Sequence, residues 1–166
     1  MDSFMEKIVA RKPSGADMAK KAGIVAAAVL LVMAAFLFIP QFALFLAFGV
    51  GFGAWWLITS MNREYEYIVT NADLDIDMII AQRKRKRVFS GRAKDFEICA
   101  KKNGPHYKEY AKGTFKLLDF AGDPASRDVW FVMTSYKGER VMVLFEPEDR
   151  MIQSFRRLNP QKIKYD

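Results

Sequence analysis

Five consecutive cations, Arg83, Lys84, Arg85, Lys86 and Arg87, are the densest charge in the sequence. Along extended strand they would span about 17 Å, enough to hold acidic lipid headgroups or an acidic protein partner. The plainer reading is a solvated hairpin end that pairs in part with Asp73, Asp75 and Asp77 on the preceding strand. Lys101 and Lys102 are weaker candidates for the same contact. The Asp73-x-Asp75-x-Asp77 spacing is that of a calcium loop, yet Met78 stands where such a loop turns on Gly and Lys84 where it needs a bidentate Glu. As strand neighbours beside cations, the same acids suit surface pairing better than acid–base chemistry. The single Cys99 lies in the apolar string Phe96-Glu-Ile-Cys-Ala100, which predicts a small buried side chain with a raised thiol pKa, the reverse of an activated nucleophile. His106 follows Gly104-Pro105 in a predicted loop, and Asn103–Tyr110 reads as ordinary loop chemistry ahead of an interaction tip. One Cys and one His exclude a disulfide framework and a multi-thiolate or multi-histidine metal centre. No catalytic set, metal or cofactor is expected, and an enzyme fails on this inventory.

The elements that position these residues begin with a membrane segment. The chain has 166 residues and a formal net charge of +7, but residues 22 to 61 contain no Asp, Glu, Lys or Arg. Five basic and three acidic residues precede that stretch, out of 26 and 19 in all, which leaves +5 beyond it. That excess suits an anionic membrane face better than nucleic acid. An apolar run this long exceeds the roughly 20 residues one crossing needs. Pro40 and Gln41 mark a turn between two short spans, Ala22–Ile39 and Phe42–Ile58, with Trp55 and Trp56 at the interface. A cleaved signal peptide and a single kinked helix are the competing readings. Arg11, Lys12, Lys20 and Lys21 before the spans and Arg63 after them put both termini in the cytoplasm of an inner (plasma) membrane protein. Within the second span Ala43, Ala47 and Gly51, and again Gly49 and Gly53, recur at the spacing of close helix packing, between the arms or between copies in a homo-oligomer. The absence of ionisable groups argues against transport.

Ahead of the spans, Met1, Phe4, Met5, Ile8 and Val9 fall at helical spacing, predicting a short amphipathic helix ended by Arg11-Lys-Pro-Ser-Gly15. Beyond Met61 the period becomes that of strands. Glu64–Thr70 and the alternating Leu74, Ile76, Met78 and Ile80 form a hairpin about Asn71-Ala-Asp73, and short strands follow at Val88–Gly91, which Arg85–Arg87 extend, and at Phe96–Lys101 and Thr114–Ala121. Val129–Tyr136 and Glu139–Phe145 flank Lys137-Gly138 as a second hairpin, for about seven strands. Pro147 at a first helical position, acids after it, and Arg156 and Arg157 before Asn159-Pro160 frame a final helix with a Met151, Ile152, Phe155, Leu158 stripe.

Tyr67-Ile-Val-Thr70, Leu74 and its alternating strand, the basic stretch Arg83–Arg87 and the segment Val88–Ile98 resemble the opening of bacterial pleckstrin-homology-like domains that follow a pair of membrane spans. The closing Leu144-Phe-Glu-Pro-Glu148 and helix, behind a two-span front end, resemble a family of small bacterial membrane proteins. The resemblance implies an α+β membrane protein: a transmembrane helical hairpin, then a PH-like seven-stranded small barrel capped by a C-terminal helix, with no catalytic residues. Lys102–Lys112 departs from the pattern as an insertion. The expected organisation is a tail at 1–16, a hairpin at 17–61 and a cytoplasmic domain at 62–166. The expected role is binding of a protein partner or anionic lipid headgroup at the bilayer surface, or else a structural place in a membrane assembly packed through the hairpin.

Overall fold

The computed structural model describes residues 4–165. The elements run β1 (Phe4–Ala10), α1 (Gly15–Phe38), α2 (Pro40–Ser60), β2 (Arg63–Thr70), β3 (Asp73–Ile80), β4 (Lys84–Arg92), β5 (Ile98–Lys101), α3 (Pro105–Tyr110), β6 (Lys116–Asp119), β7 (Trp130–Tyr136), β8 (Glu139–Phe145) and α4 (Asp149–Leu158). They fall into two compact units: one holds the chain up to Arg11 and from Glu64 onward, the other Lys12–Arg63.

The second unit is a helical hairpin. Ser14 caps α1: its hydroxyl accepts from the Asp17 N–H at 3.2 Å, and the Asp17 carboxylate accepts from the Ser14 N–H at 3.0 Å, a reciprocal cap that satisfies two orphan donors. Ile39 ends the first arm and Pro40 opens the second, where its missing N–H costs nothing. Ala35 and Ala43 are the buried residues of the two arms, close to the turn. At the open end Lys21 donates to the Asn62 side chain at 2.9 Å. Both helices are long and apolar enough to cross a membrane.

In the first unit, two four-stranded sheets, ordered β1-β2-β3-β4 and β5-β7-β8-β6, pack face to face. The expected closed barrel of about seven strands is therefore corrected to two open four-stranded sheets, eight strands among the described residues. The additional strand is β1, where an amphipathic helix was expected; of that pattern Met1 lies outside the described residues. Phe4–Ala10 pairs antiparallel with β2 in continuous register, Phe4 opposite Thr70 and Ala10 opposite Glu64. Met5 and Val9 pack on the core while Phe4 and Ile8 face out, a period of two. Seven residues are too few for a stable isolated helix, whereas pairing gives their backbone groups partners on β2.

Tyr65, Tyr67, Val69, Leu74, Ile76 and Phe89 meet Val132, Val143 and Phe145 between the sheets, closed over by Met151, Ile152 and Phe155 of α4. Phe96 and Phe155 touch edge to face at 5.6 Å. Leu158 is 55% exposed, so the helix stripe ends one residue type earlier than its spacing predicts, and Pro147 lies outside the helix, whose N-cap is Glu148. The second sheet is covered on its other face too. Ile98, Phe131, Met133, Met142 and Leu144 form a second cluster under Tyr107, Tyr110 and Phe115. Tyr107 meets Phe131 at 5.4 Å. The segment read as an insertion thus carries α3, a lid on apolar surface, which is why β7 and β8 are near-continuous apolar runs. Past α4 the chain returns beside β5: the Cys99 N–H donates to the Lys162 carbonyl at 2.9 Å and the Lys164 N–H to the Cys99 carbonyl at 2.8 Å.

Candidate cationic site at the β3–β4 turn

Strand alternation divides the basic run. In the β3–β4 ladder Arg85 lies opposite Ile79 and Arg87 opposite Asp77 on one face, while Lys84 lies opposite Ile80 and Lys86 opposite Met78 on the other. A bulge between Ile76 and Asp77 absorbs Val88 and lets Phe89 return to the core. The turn itself has positive φ at Ala81 and Gln82, 53° and 55°, the backbone hand that suits a tight hairpin.

Arg87 binds both acids of its face, Asp75 at 2.6 Å and Asp77 through a short hydrogen bond. Arg85 reaches Glu66 of β2 at 2.8 Å. Glu66 is buried, and its Oε2 has no hydrogen-bond partner among the described residues. Burial and then the neighbouring Glu6 carboxyl raise its pKa above the ordinary carboxylate value, with a further push from Asp77, against the pull of Arg85. Arg85 and Arg87 are thereby committed to the domain's own acids. Arg83, Lys84 and Arg85 line an open cleft of about 320 Å³ with Glu64, Ile79 and Gln82, and the Gln82 amide donates to the Glu64 carboxylate at 3.2 Å. Arg87 and Lys86 do not line it.

The other candidates have structural places. Among the described residues no group of three or more His, Cys, Asp or Glu side chains, Asp73, Asp75 and Asp77 included, is arranged to hold a metal ion. Cys99 is fully buried, and burial pushes its thiol pKa up. His106 belongs to α3, with Nδ1 3.9 Å from Glu109. Lys102 donates to the Pro124 carbonyl at 2.6 Å, and Lys101 ends β5. In α2, Ala43 is buried and Ala47 and Gly53 half-buried, whereas Gly49 and Gly51 are exposed, and a side chain added at any of these three glycines would meet nothing within 4 Å. Sequence reading missed Glu66, which the strand pattern hid on the solvent side of β2. It also missed the second role of Arg11, whose guanidinium donates to the Tyr65 hydroxyl at 3.0 Å and to the Asp119 carbonyl at 3.1 Å.

Two packed four-stranded sheets, the second mixed because β6 runs parallel to β8, closed by a C-terminal amphipathic helix, fit a PH-like module, a class that in general binds rather than catalyses. The chain belongs to the family described as Bacterial PH-like domain (DUF6106), whose family model matches residues 1–165. No curated protein and no solved structure matches it.

Proposed function

We propose that this protein is a non-enzymatic, membrane-anchored binding module whose β3–β4 turn meets anionic headgroups at the leaflet facing the domain. The observation that carries the reading is the hydrogen bond from Gln82 to Glu64. The turn bearing Arg83 and Lys84 is thus tied to the start of β2, the strand that follows α2 in the chain. Each cation near an anionic surface contributes about 1 kcal/mol, and tethering raises the local lipid concentration so that weak contacts are populated.

The register of β1 with β2 supports a two-crossing anchor. Chain leaving at Ala10 returns at its partner Glu64, so any membrane between them is crossed an even number of times. The cations at Arg11, Lys12, Lys20, Lys21 and Arg63 favour the cytoplasmic side for both ends.

Hydrogen exchange of the full-length protein in nanodiscs tests the contact. Amides 81–86 should be protected in phosphatidylglycerol discs relative to phosphatidylcholine discs, and Arg83→Gln/Lys84→Gln/Lys86→Gln should abolish the difference. Equal protection in both lipids would reject the headgroup reading. A second reading, a structural subunit of a larger membrane assembly, is favoured by the outward Gly49 and Gly51. Gly51→Leu would then lower crosslinked oligomer in native membranes while neutralising the basic turn would not.

A further inference from the structure

A second cationic cleft lies between the last turn of α4 and the strand-like tail beside β5. Two adjoining openings of about 410 and 680 Å³ are lined by Gln153, Arg156, Arg157, Pro160, Lys164 and Tyr165. Among the described residues Arg156, Arg157 and Lys164 form no ion pair with a carboxylate, unlike Arg85, Arg87, Arg92 and Arg140. The guanidinium carbon of Arg156 lies over the Tyr165 ring, 5.2 Å from its centroid, and that ring meets Trp130 edge-on at 5.4 Å. A cation–π contact engages the charge without using up the N–H donors, which an incoming carboxylate can take. Among the described residues, Asp149 is an acid close enough to Tyr165 to act on its hydroxyl. The helix dipole accounts for arginines in the last turn of α4, but not for Lys164 arriving from the tail.

The cleft sits far from the β3–β4 turn. The Asn159 amide, at the end of α4, donates to the Ala93 carbonyl at 3.2 Å. Ala93 follows the last residue of β4, whereas the turn precedes its first, so the length of the strand, about 27 Å, separates them. A headgroup held at the turn does not reach the cleft. The cleft is open along its length, which suits a segment of chain better than a small molecule, whose sites enclose most of the ligand.

We propose that this cleft binds an acidic segment of a partner protein, with carboxylates on Arg156, Arg157 and Lys164 and the Gln153 amide on its backbone. The proposal does not depend on lipid contact at the turn. The full-length protein in phosphatidylcholine nanodiscs is titrated with a fluorescein-labelled octaglutamate peptide, read by anisotropy, with inorganic phosphate in a parallel titration. Arg156→Gln/Arg157→Gln/Lys164→Gln should weaken peptide binding about tenfold or more, while Lys84→Gln/Lys86→Gln leaves it within about twofold. Should the triple variant lose its thermal transition, the exposed Arg157→Gln alone should still cost about threefold. Equal losses in the two variants would mean unspecific charge attraction and overturn the proposal, as would undiminished binding in the triple variant. Phosphate binding without peptide binding would reassign the cleft to a small anion and overturn it too.

Discussion

Ala10 and Glu64 face each other across an antiparallel ladder although both apolar helices lie between them in the chain. The domain is therefore not a unit appended after the two apolar helices. Its first strand precedes them, and the helical hairpin stands in the chain where a β1–β2 turn would.

That relationship makes β1 a structural element of the domain. Gly122 packs against it closely: a Cβ there would lie 2.8 Å from the Ala10 carbonyl oxygen and closer still to Val9. Gly122→Ala should push β1 off its ladder and cost about 1–3 kcal/mol, read as a lower urea midpoint in detergent and faster exchange of the β1 amides. Unchanged exchange there would show that β1 contributes nothing.

Glu66 gives a pH dependence of defined sign. Its folded pKa is raised above the ordinary 4.5 by burial and by Glu6, with Asp77 adding to this and Arg85 opposing. The folded state then holds the proton more tightly than the unfolded chain, so the stabilisation is complete below the unfolded pKa and is lost as pH rises through the folded one. Glu66→Gln should remove this loss, so that the variant gains melting temperature relative to wild type over the pH range rising from the ordinary value of 4.5. A constant difference across that range would contradict the shift.

Arg87 and Lys84 separate structure from surface within one charge run. Arg87→Gln leaves the buried Asp77 without its guanidinium and should destabilise by about 1–3 kcal/mol, discounted because Arg87 is half exposed. Lys84→Gln should stay within about 0.5 kcal/mol. Chemical denaturation of the two variants side by side checks the contrast.

Tyr107 should behave as core. Its ring covers Phe131, and Tyr107→Ala should cost about 2–4 kcal/mol, whereas a loop tip would tolerate the change. Cys99 should resist alkylation in the native protein and react on unfolding, because burial disfavours the thiolate.

Much of this architecture is local and therefore legible in order along the chain. The uncharged stretch from 22 to 61 and Pro40 yield the helical hairpin, and the alternation of Leu74, Ile76 and Met78 and the turn at Lys137-Gly138 yield strands, because each rests on neighbours a few residues apart. Those local patterns specify the elements and their apolar faces. Contacts between distant parts of the chain specify the rest. Phe4–Ala10 fits both a helical and a strand period, and its partner β2 lies beyond two helices, so long-range pairing settled it. Tyr107 and Tyr110 look like loop residues until the outer face of β7 needs cover. The run Arg83–Arg87 looks like one site until a ladder turns Arg85 and Arg87 toward Glu66, Asp75 and Asp77, and Lys84 and Lys86 away. In each case the deciding energy is a contact between residues distant in the chain, which periodicity and composition do not encode.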